Sequence, residues 1–493
     1  MAEAQPASLL HLHRFDRTGE DAGAYHHRVL QPVEMLHDCP EFAPAELSWL
    51  DPGAPGHALA ADLLVVHALA GPEIEILLRE RWRQGRPTLF EIGDDLSAPR
   101  PWSRRVHARP NAMTVARQCL HASRADAVQF SSLALQAKYA TLNANTTVLD
   151  NAVAFPGSAP HRPAGFVFGW AGTRSHHADL AAIAPAVAAF CTERPDTQFA
   201  LMGDATLAQL FSAVPPGQFR WQPFGSYAAY RAFLGTLHVG LVPIGAGAFA
   251  RGRSDVKAVE MAAEGAVVLA QSAAALAGLP AILPRFEDGG RLVALLDKLH
   301  ADPRCLAALA RGIRETLRSE RDLPATCARH RQWYRSWRNA ATGALPIVDR
   351  VEAGQQLDAA QECAAAGARD DALAQARALL LSDPSYAQAR WLAAGLLAER
   401  GQRDEALALG APLQACPIYR HVWSDYVAAL RDGREAALPA DAAAHADFHR
   451  TLLDAHPFHP FALAAEEYRL RQAGDAAGAA ALRARRMLLG DEA

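Results

Sequence analysis

Short uninterrupted apolar runs alternate with helical patterns over the first two thirds of the chain, and then the runs stop. Ala61 to His67 reads as a buried strand, and Pro72 to Gln84 as a helix with Pro at its start and Gly85 at its end. Pro87 to Ile92 is the next strand. Ala125 to Ser131 is another, followed by a helix through Leu142, and Thr147 to Leu149 is a short one. Strands alternating with helices at this spacing predict a parallel sheet covered by helices on both faces.

The stretch from Phe155 to Pro163 is rich in Pro, Gly and Ser and reads as a linker. The rhythm then restarts. Strands are expected at Phe166–Trp170, Gln198–Gly203, Leu237–Pro243 and Ala266–Ala270, and helices at Asp179–Glu193 and Asp255–Glu264. From about residue 350 the pattern is helical and Ala-rich. Gly367 and Gly401 lie 34 apart, as do Ala372 and Ala406, while Pro384 and Pro417 lie 33 apart. That period, with Gly between helices and Pro after the second, is the tetratricopeptide pattern. It drifts to 32 between Gly401 and Gly433 and to 41 between Gly433 and Gly474, so an insertion is expected near 435–447. The predicted fold class is α/β: two Rossmann-like domains facing a cleft, over 1–155 and 156–345, then an all-α tetratricopeptide-like domain over 350–493. Stacked repeats of this kind expose a concave surface suited to a partner.

Charge narrows the function classes. With 49 basic and 53 acidic residues the net charge is −4, which gives no global attraction to nucleic acid or anionic membrane. No apolar run is long enough to span a bilayer, and the first residues lack the basic and apolar regions of a signal peptide. Seven scattered cysteines without a C-x-x-C pair suggest free thiols. A soluble cytoplasmic protein is expected. Only Lys138, Lys257 and Lys298 are lysines, the other basic residues being Arg. Lys138 and Lys298 fall in ordinary helical stretches. Lys257 does not.

Lys257 belongs to the most informative region, where four features follow one another at strand ends: Gly169 to Ser175, Met202-Gly203-Asp204, the Gly-rich Gly245 to Gly252, and Arg253 to Val268. The last reads Ser254, Asp255, Lys257, Glu260, Ala262, Gly265, Val268, and it resembles the "S-D-x-K-x-x-E-x-A-x-x-G-x-x-V" helix of GT-B glycosyltransferases of the family 4 type. Other passages agree with the resemblance. Gly23 to Pro32 is similar to a "Y-x-x-R-V-x-x-P" opening, and Glu91 to Leu96 to a "D-x-D-D-L" strand end. Asp126 to Ser132 with Leu149 to Val153 resembles the close of the first domain, and Arg329 to Arg338 a helix that crosses back to it. The likeness covers about 1–340.

The resemblance implies a retaining, metal-independent transfer of a sugar from a nucleoside-diphosphate sugar to a glycan or protein acceptor, with no cofactor. The repeats would contribute to holding the acceptor. Physical chemistry agrees on the diphosphate: a helix N-terminus with flanking cations suits its charge. Donor-binding candidates are Gly172, Thr173, Arg174, Gly203, Asp204, Arg253, Ser254, Lys257 and Glu260. Lys257 and Arg253 are placed to reach the diphosphate, and the resemblance gives Glu260 the ribose diol. Catalytic candidates are Asp94, Asp95 and Lys257, although paired carboxylates at a strand end also serve as helix caps. Acceptor-side candidates are Gly23, Arg28 and His67, the last alternatively a packed neutral histidine.

The chain departs from the family pattern in three places. Gly252 stands where the first of two glutamates spaced by eight is usual, Gly93 stands where a histidine is often found, and the basic pair after Trp170 is matched only by Arg174 and His177. These departures leave open a non-catalytic interaction protein working through its helical repeats, or a nucleotide-sugar epimerase. The run Gly245 to Ala250 mimics a dinucleotide fingerprint, but no acidic residue ends a strand about 20 positions later, which argues against nicotinamide.

Overall fold

The structure, a computed structural model, describes residues 5–15, 22–98, 111–157, 162–338 apart from 246, and 351–416. Beyond these it describes several positions within 418–427, and 449–490 apart from 455. The expected insertion near 435–447 lies outside the described residues. Among the described residues, twelve strands form two six-stranded sheets. The first contains β1 (Ala7–His13), β2 (Phe42–Ser48), β3 (Leu63–His67), β4 (Thr88–Ile92), β5 (Ala127–Phe130) and β6 (Thr146–Val148), in the order β2-β1-β3-β4-β5-β6. The second contains β7 (Phe166–Ala171), β8 (Thr197–Met202), β9 (Phe219–Gln222), β10 (Val239–Val242), β11 (Val267–Gln271) and β12 (Arg285–Phe286), in the order β12-β11-β10-β7-β8-β9. All pairings are parallel. This is the two-domain α/β arrangement that strand-helix alternation predicts, because parallel strands need crossover helices.

In each sheet the order reverses once, between β1 and β3 in the first and between β7 and β10 in the second. Loops leave such a point in opposite directions and open a crevice at the carboxyl ends of the strands, where open α/β sheets hold ligands. Both candidate clusters described below lie at these points.

The domains are covered differently. The second domain has one core drawn from residues 153–317. The first has two. On one face, Leu9, Val65 and Leu89 pack with Tyr334 from the helix Leu323–Trp337, which reaches back from the second domain. On the other, Leu47, Trp49, Ile74 and Leu120 share a core with Ala394, Tyr419, Trp423 and Leu463 of the helical tail.

The tail is therefore built onto the first domain. Its helices include Val351–Ala365, Arg369–Ser382, Ala387–Glu399, Arg403–Gly410, Pro460–Gln472 and Ala476–Leu488; the first four pack each against the next, and the last two pack against each other. Gln388 Nε2 donates to Trp49 O at 2.8 Å and to Asp51 O at 3.2 Å, and the Tyr386 hydroxyl donates to Leu50 O. At the far end Gly490 lies against Ser97, where an added Cβ would come within 2.9 Å of Ser97 O. The sequence suggests a face kept for a partner. The face that meets the first domain is instead filled by the chain itself, and acceptor contact with the tail is left to its other surfaces.

Candidate functional site

The reversal point of the second sheet gathers two loops. After β7 come Gly172, Thr173 and a turn at Arg174–His176, then the helix His177–Glu193. After β10 come Gly245, a short helix Ala248–Arg251, Gly252, Arg253, Ser254 and the helix Val256–Ala263. Lys257, in the first turn of that helix, points back at the end of β7. Its Nζ donates to Ala171 O at 2.7 Å and lies 4.9 Å from the centroid of the Trp170 ring and 5.9 Å from that of Tyr230. No carboxylate stands within 4 Å of it among the described residues. Burial pushes Lys257 down to about 8; Arg253 adds to this, while Glu260 and Asp179 oppose it. Gly172 is required here, since a Cβ would sit 2.7 Å from Lys257 Nζ, and a Cβ at Gly203 would sit 2.8 Å from Gly172 O. Trp170 Nε1 is buried without a hydrogen-bond partner among the described residues.

Arg253 is held from the β7 loop. One terminal nitrogen donates to Ser175 Oγ at 2.7 Å, and the other lies against the His176 ring, 2.7 Å from Nε2 and 2.9 Å from Nδ1. His176 Nδ1 is 2.9 Å from Asp179 Oδ2, so the consistent tautomer donates from Nδ1 to Asp179 and accepts at Nε2 from Arg253. Burial, with Arg253 and Lys257 nearby, holds His176 well below its ordinary pKa, so it is neutral. The other oxygen of Asp179 accepts from Gly245 N at 2.7 Å. The guanidinium also lies over the Phe249 ring at 5.0 Å.

Glu260, on the same helix as Lys257, is 3% exposed. It accepts from the Tyr230 hydroxyl at 2.7 Å and from His27 Nε2, across the cleft, at 3.2 Å. Burial alone would raise its pKa. The His27 hydrogen bond and charge, Lys257 and Tyr230 together bring it down to about 2. Ser254 Oγ accepts from Asn151 Nδ2 at 3.0 Å, and Arg321 grips Asp255 through two 2.8 Å bonds while also donating to Asn151 O.

The first-domain wall is built from charges that cancel. Arg28 is buried and paired with Glu91 at 2.7 Å, and it donates to Leu149 O and Asn151 Oδ1. Its place is therefore inside the wall, beneath the surface where the sequence suggests acceptor contact. Asp95 accepts from Lys138 Nζ at 2.8 and 2.9 Å, from the Tyr139 hydroxyl at 2.7 Å, and from Ser97 N and Oγ. This corrects one expectation. Lys138 is no ordinary helix residue, and Asp95 is engaged in holding its loop rather than standing open at the strand end. Asp94 is the half-buried member of the pair, close enough to Arg253 to oppose the lowering of its pKa.

At the reversal point of the first sheet, His67 Nε2 and His11 Nδ1 lie 3.0 Å apart, both rings buried. Burial brings His11 down to about 3 and His67 well below its ordinary value, so the pair is neutral. His67 Nδ1 and His11 Nε2 have no partner among the described residues. The following residue, Ala68, has φ +49°, a left-handed conformation that L side chains avoid and that costs about 1–3 kcal/mol. Beside them His13 Nε2 meets Glu46 at 2.7 Å, which also accepts from Tyr25. Gly23 is exposed, with open space where a Cβ would stand.

The structure thus brings Gly172, Gly203, Arg253, Lys257 and Glu260 together, with Ser254 at the seam between domains. Thr173 Oγ1 faces Ser175 Oγ at 3.0 Å, and Arg174 is half-buried in the turn. Asp204 is exposed and caps the helix Ala205–Gln209 through Thr206 N at 2.8 Å, which points to a local structural task. Sequence reasoning missed His27, Trp170, His176, Asp179 and Tyr230. The spacing of His176 and Asp179, three residues at a helix start beside a strand end, is a signal that was there to be used. Gly252 has a steric explanation: a Cβ would meet Leu135 Cδ2 at 3.0 Å and Asp95 Cβ at 3.1 Å, so the two domains touch where a glutamate is usual. Among the described residues no group of three or more His, Cys, Asp or Glu is placed to hold a metal ion. A cavity of about 330 Å³ lined by Trp82, Arg86, Asp126 and Trp337 lies at the opposite edge of the first sheet, away from this chemistry.

Solved structures share this architecture. Anabaena HepE in complex with UDP-glucose aligns with a TM-score of 0.50 and 14% identity, over 67% of this chain and 100% of that one. The same protein with UDP and glucose gives 0.50 and 13% over the same shares. A glycosyltransferase from Rickettsia africae aligns at 0.49 with 10% identity, over 67% of this chain and 98% of its own. The fold is that of the GT-B glycosyltransferases. No protein-family model and no curated protein matches the sequence.

Proposed function

We propose that this chain is a retaining glycosyltransferase that binds a nucleoside-diphosphate sugar at the reversal point of its second sheet and delivers the sugar to a glycan or protein acceptor at the first. One observation carries the reading. Lys257 and Arg253 converge beside two glycines whose missing side chains let the Lys257 ammonium and the loop after β7 pack closely, and Lys257 has no carboxylate partner among the described residues. Two cations in a largely buried crevice are suited to stabilise the negative charge of a departing nucleoside diphosphate. The GT-B fold shared with HepE, solved with UDP-glucose, supports the same reading. Asp94 would lie beside the transferred sugar, His67 would meet an acceptor hydroxyl, and the tetratricopeptide-like tail would support the acceptor side. Charge stabilisation rests on Lys257 and Arg253 without a resident metal or cofactor.

The test is calorimetric titration with ADP, GDP, UDP and their sugars, with and without chelator, then product analysis by NMR for anomeric configuration. Binding that survives chelator and release of an α-sugar from an α-donor support the reading; inversion or strict metal dependence would overturn those parts of it. A second reading has its own observation. Glu260 is already engaged by His27 and Tyr230, and Gly252 abuts Asp95, as in a GT-like protein that no longer transfers. No binding by any nucleoside diphosphate would favour that reading, and sugar isomerisation without acceptor would favour an epimerase.

A further inference from the structure

Arg253 lies in the loop before the helix Val256–Ala263, and the residues that hold it there form a connected chain. Asp179 Oδ2 accepts from His176 Nδ1 at 2.9 Å, and His176 Nε2 accepts from Arg253 at 2.7 Å. Ser175 Oγ takes the second terminal nitrogen at 2.7 Å. The other oxygen of Asp179 holds Gly245 N at 2.7 Å. One carboxylate thus ties the β7 loop, the β10 loop and the cation between them. The Arg253 nitrogen that meets His176 Nε2 also lies 2.9 Å from His176 Nδ1 and 3.9 Å from Asp179 Oδ2, so the guanidinium rests against the imidazole ring at the outer limit of an ion pair with the carboxylate. An intervening neutral ring fixes the plane of a guanidinium without the close charge cancellation seen in the Arg28–Glu91 pair.

We infer that His176 and Asp179 are positioning residues that aim the Arg253 guanidinium at the phosphates of the bound nucleotide. The inference rests on the nucleotide-sugar reading above. A mispointed guanidinium loses its paired hydrogen bonds to phosphate oxygens while the rest of the site is unchanged. The base and ribose, bound elsewhere, do not sense it.

The experiment titrates wild type, His176→Phe, His176→Gln and Asp179→Asn with whichever of ADP, GDP and UDP binds wild type most tightly, and with the matching nucleoside. His176→Phe is expected to weaken the diphosphate about tenfold, as loss of one charge-assisted hydrogen bond does, and to leave the nucleoside within twofold. His176→Gln restores an acceptor for Arg253 and should recover most of the loss. In an Arg253→Met background His176→Phe should have no further effect, because the two act as one unit. Equal losses for diphosphate and nucleoside, or additive losses in the double variant, overturn the inference and leave the nucleotide reading standing. If His176→Phe does not fold, Asp179→Asn with its nucleoside control decides by the same criteria. Failure of wild type to bind any of the three overturns both readings together.

Discussion

The two α/β domains carry the same kind of sheet but keep themselves folded in different ways. The second closes its own core. The first borrows on both faces, from the returning helix Leu323–Trp337 and from the tail. Their cleft walls differ in the same sense. Lys138, in the first domain, is clamped on the buried Asp95 and supports a loop. Lys257, in the second, rests on a carbonyl and two aromatic rings. The same residue type is structural in one wall and available to an anion in the other. What decides is the partner, and the partner of Lys138 lies 43 residues away.

The harshest test of this contrast removes residues 351–493. Leu47, Trp49, Ile74 and Leu120 would lose their cover, and the first domain is expected to lose its near-ultraviolet circular dichroism and aggregate. A truncated chain that melts cooperatively at the parent temperature would mean that the tail is only appended. Next comes the pair of lysines. Lys257→Met should weaken nucleoside-diphosphate binding by about 10–150-fold, the equivalent of ~1.5–3 kcal/mol for a charged hydrogen bond, with little change in Tm. Lys138→Met should do the reverse. It is expected to cost about 2 kcal/mol of stability, below the ~3–5 of a fully buried pair because the lysine is 33% exposed, and to leave nucleotide affinity unchanged.

A subtler test uses pH. Lys257 sits at about 8 when folded against 10.5 unfolded, so the unfolded chain holds that proton more tightly. Its contribution to stability therefore rises from pH 8 to 10.5, while affinity for an anion falls as pH climbs through 8. Opposite slopes in melting and titration series, both removed by Lys257→Met, are the expected signature. The smallest expected effect is at the seam. Gly252→Glu, which restores the usual pair of glutamates, should overpack against Asp95 and Leu135, costing ~1–3 kcal/mol by thermal melting without improving nucleotide binding.

Much of the architecture was legible in the sequence because buried parallel strands are continuous apolar runs, as in β3, β7 and β11. Strands β1, β2, β9 and β12 escaped, and the first two show a physical reason. β1 carries Ser8, His11 and His13 inside it, and histidine reads as polar until burial makes it neutral. β2 is a half-exposed edge strand containing Pro44, which only an edge tolerates. In the site, Lys257 and Glu260 were visible through their spacing on one helix, and Arg253 through its place just before it. The engagement of Asp95 by Lys138 was hidden because a carboxylate's contacts lie distant in sequence. The tail's docking was hidden for the same reason: helical periodicity reveals an apolar face and says nothing of what covers it.

The shared core of tail and first domain also sets a timetable. The apolar face around Trp49 and Ile74 leaves the ribosome well before Tyr419 and Trp423, the residues that cover it. With roughly 350 residues between them, the wait is about 17–75 s at ~5–20 residues per second. During that interval a nearly complete sheet carries a bare hydrophobic side. Yield in a foreign host should therefore follow translation speed and chaperone supply more closely than the stability of the finished protein.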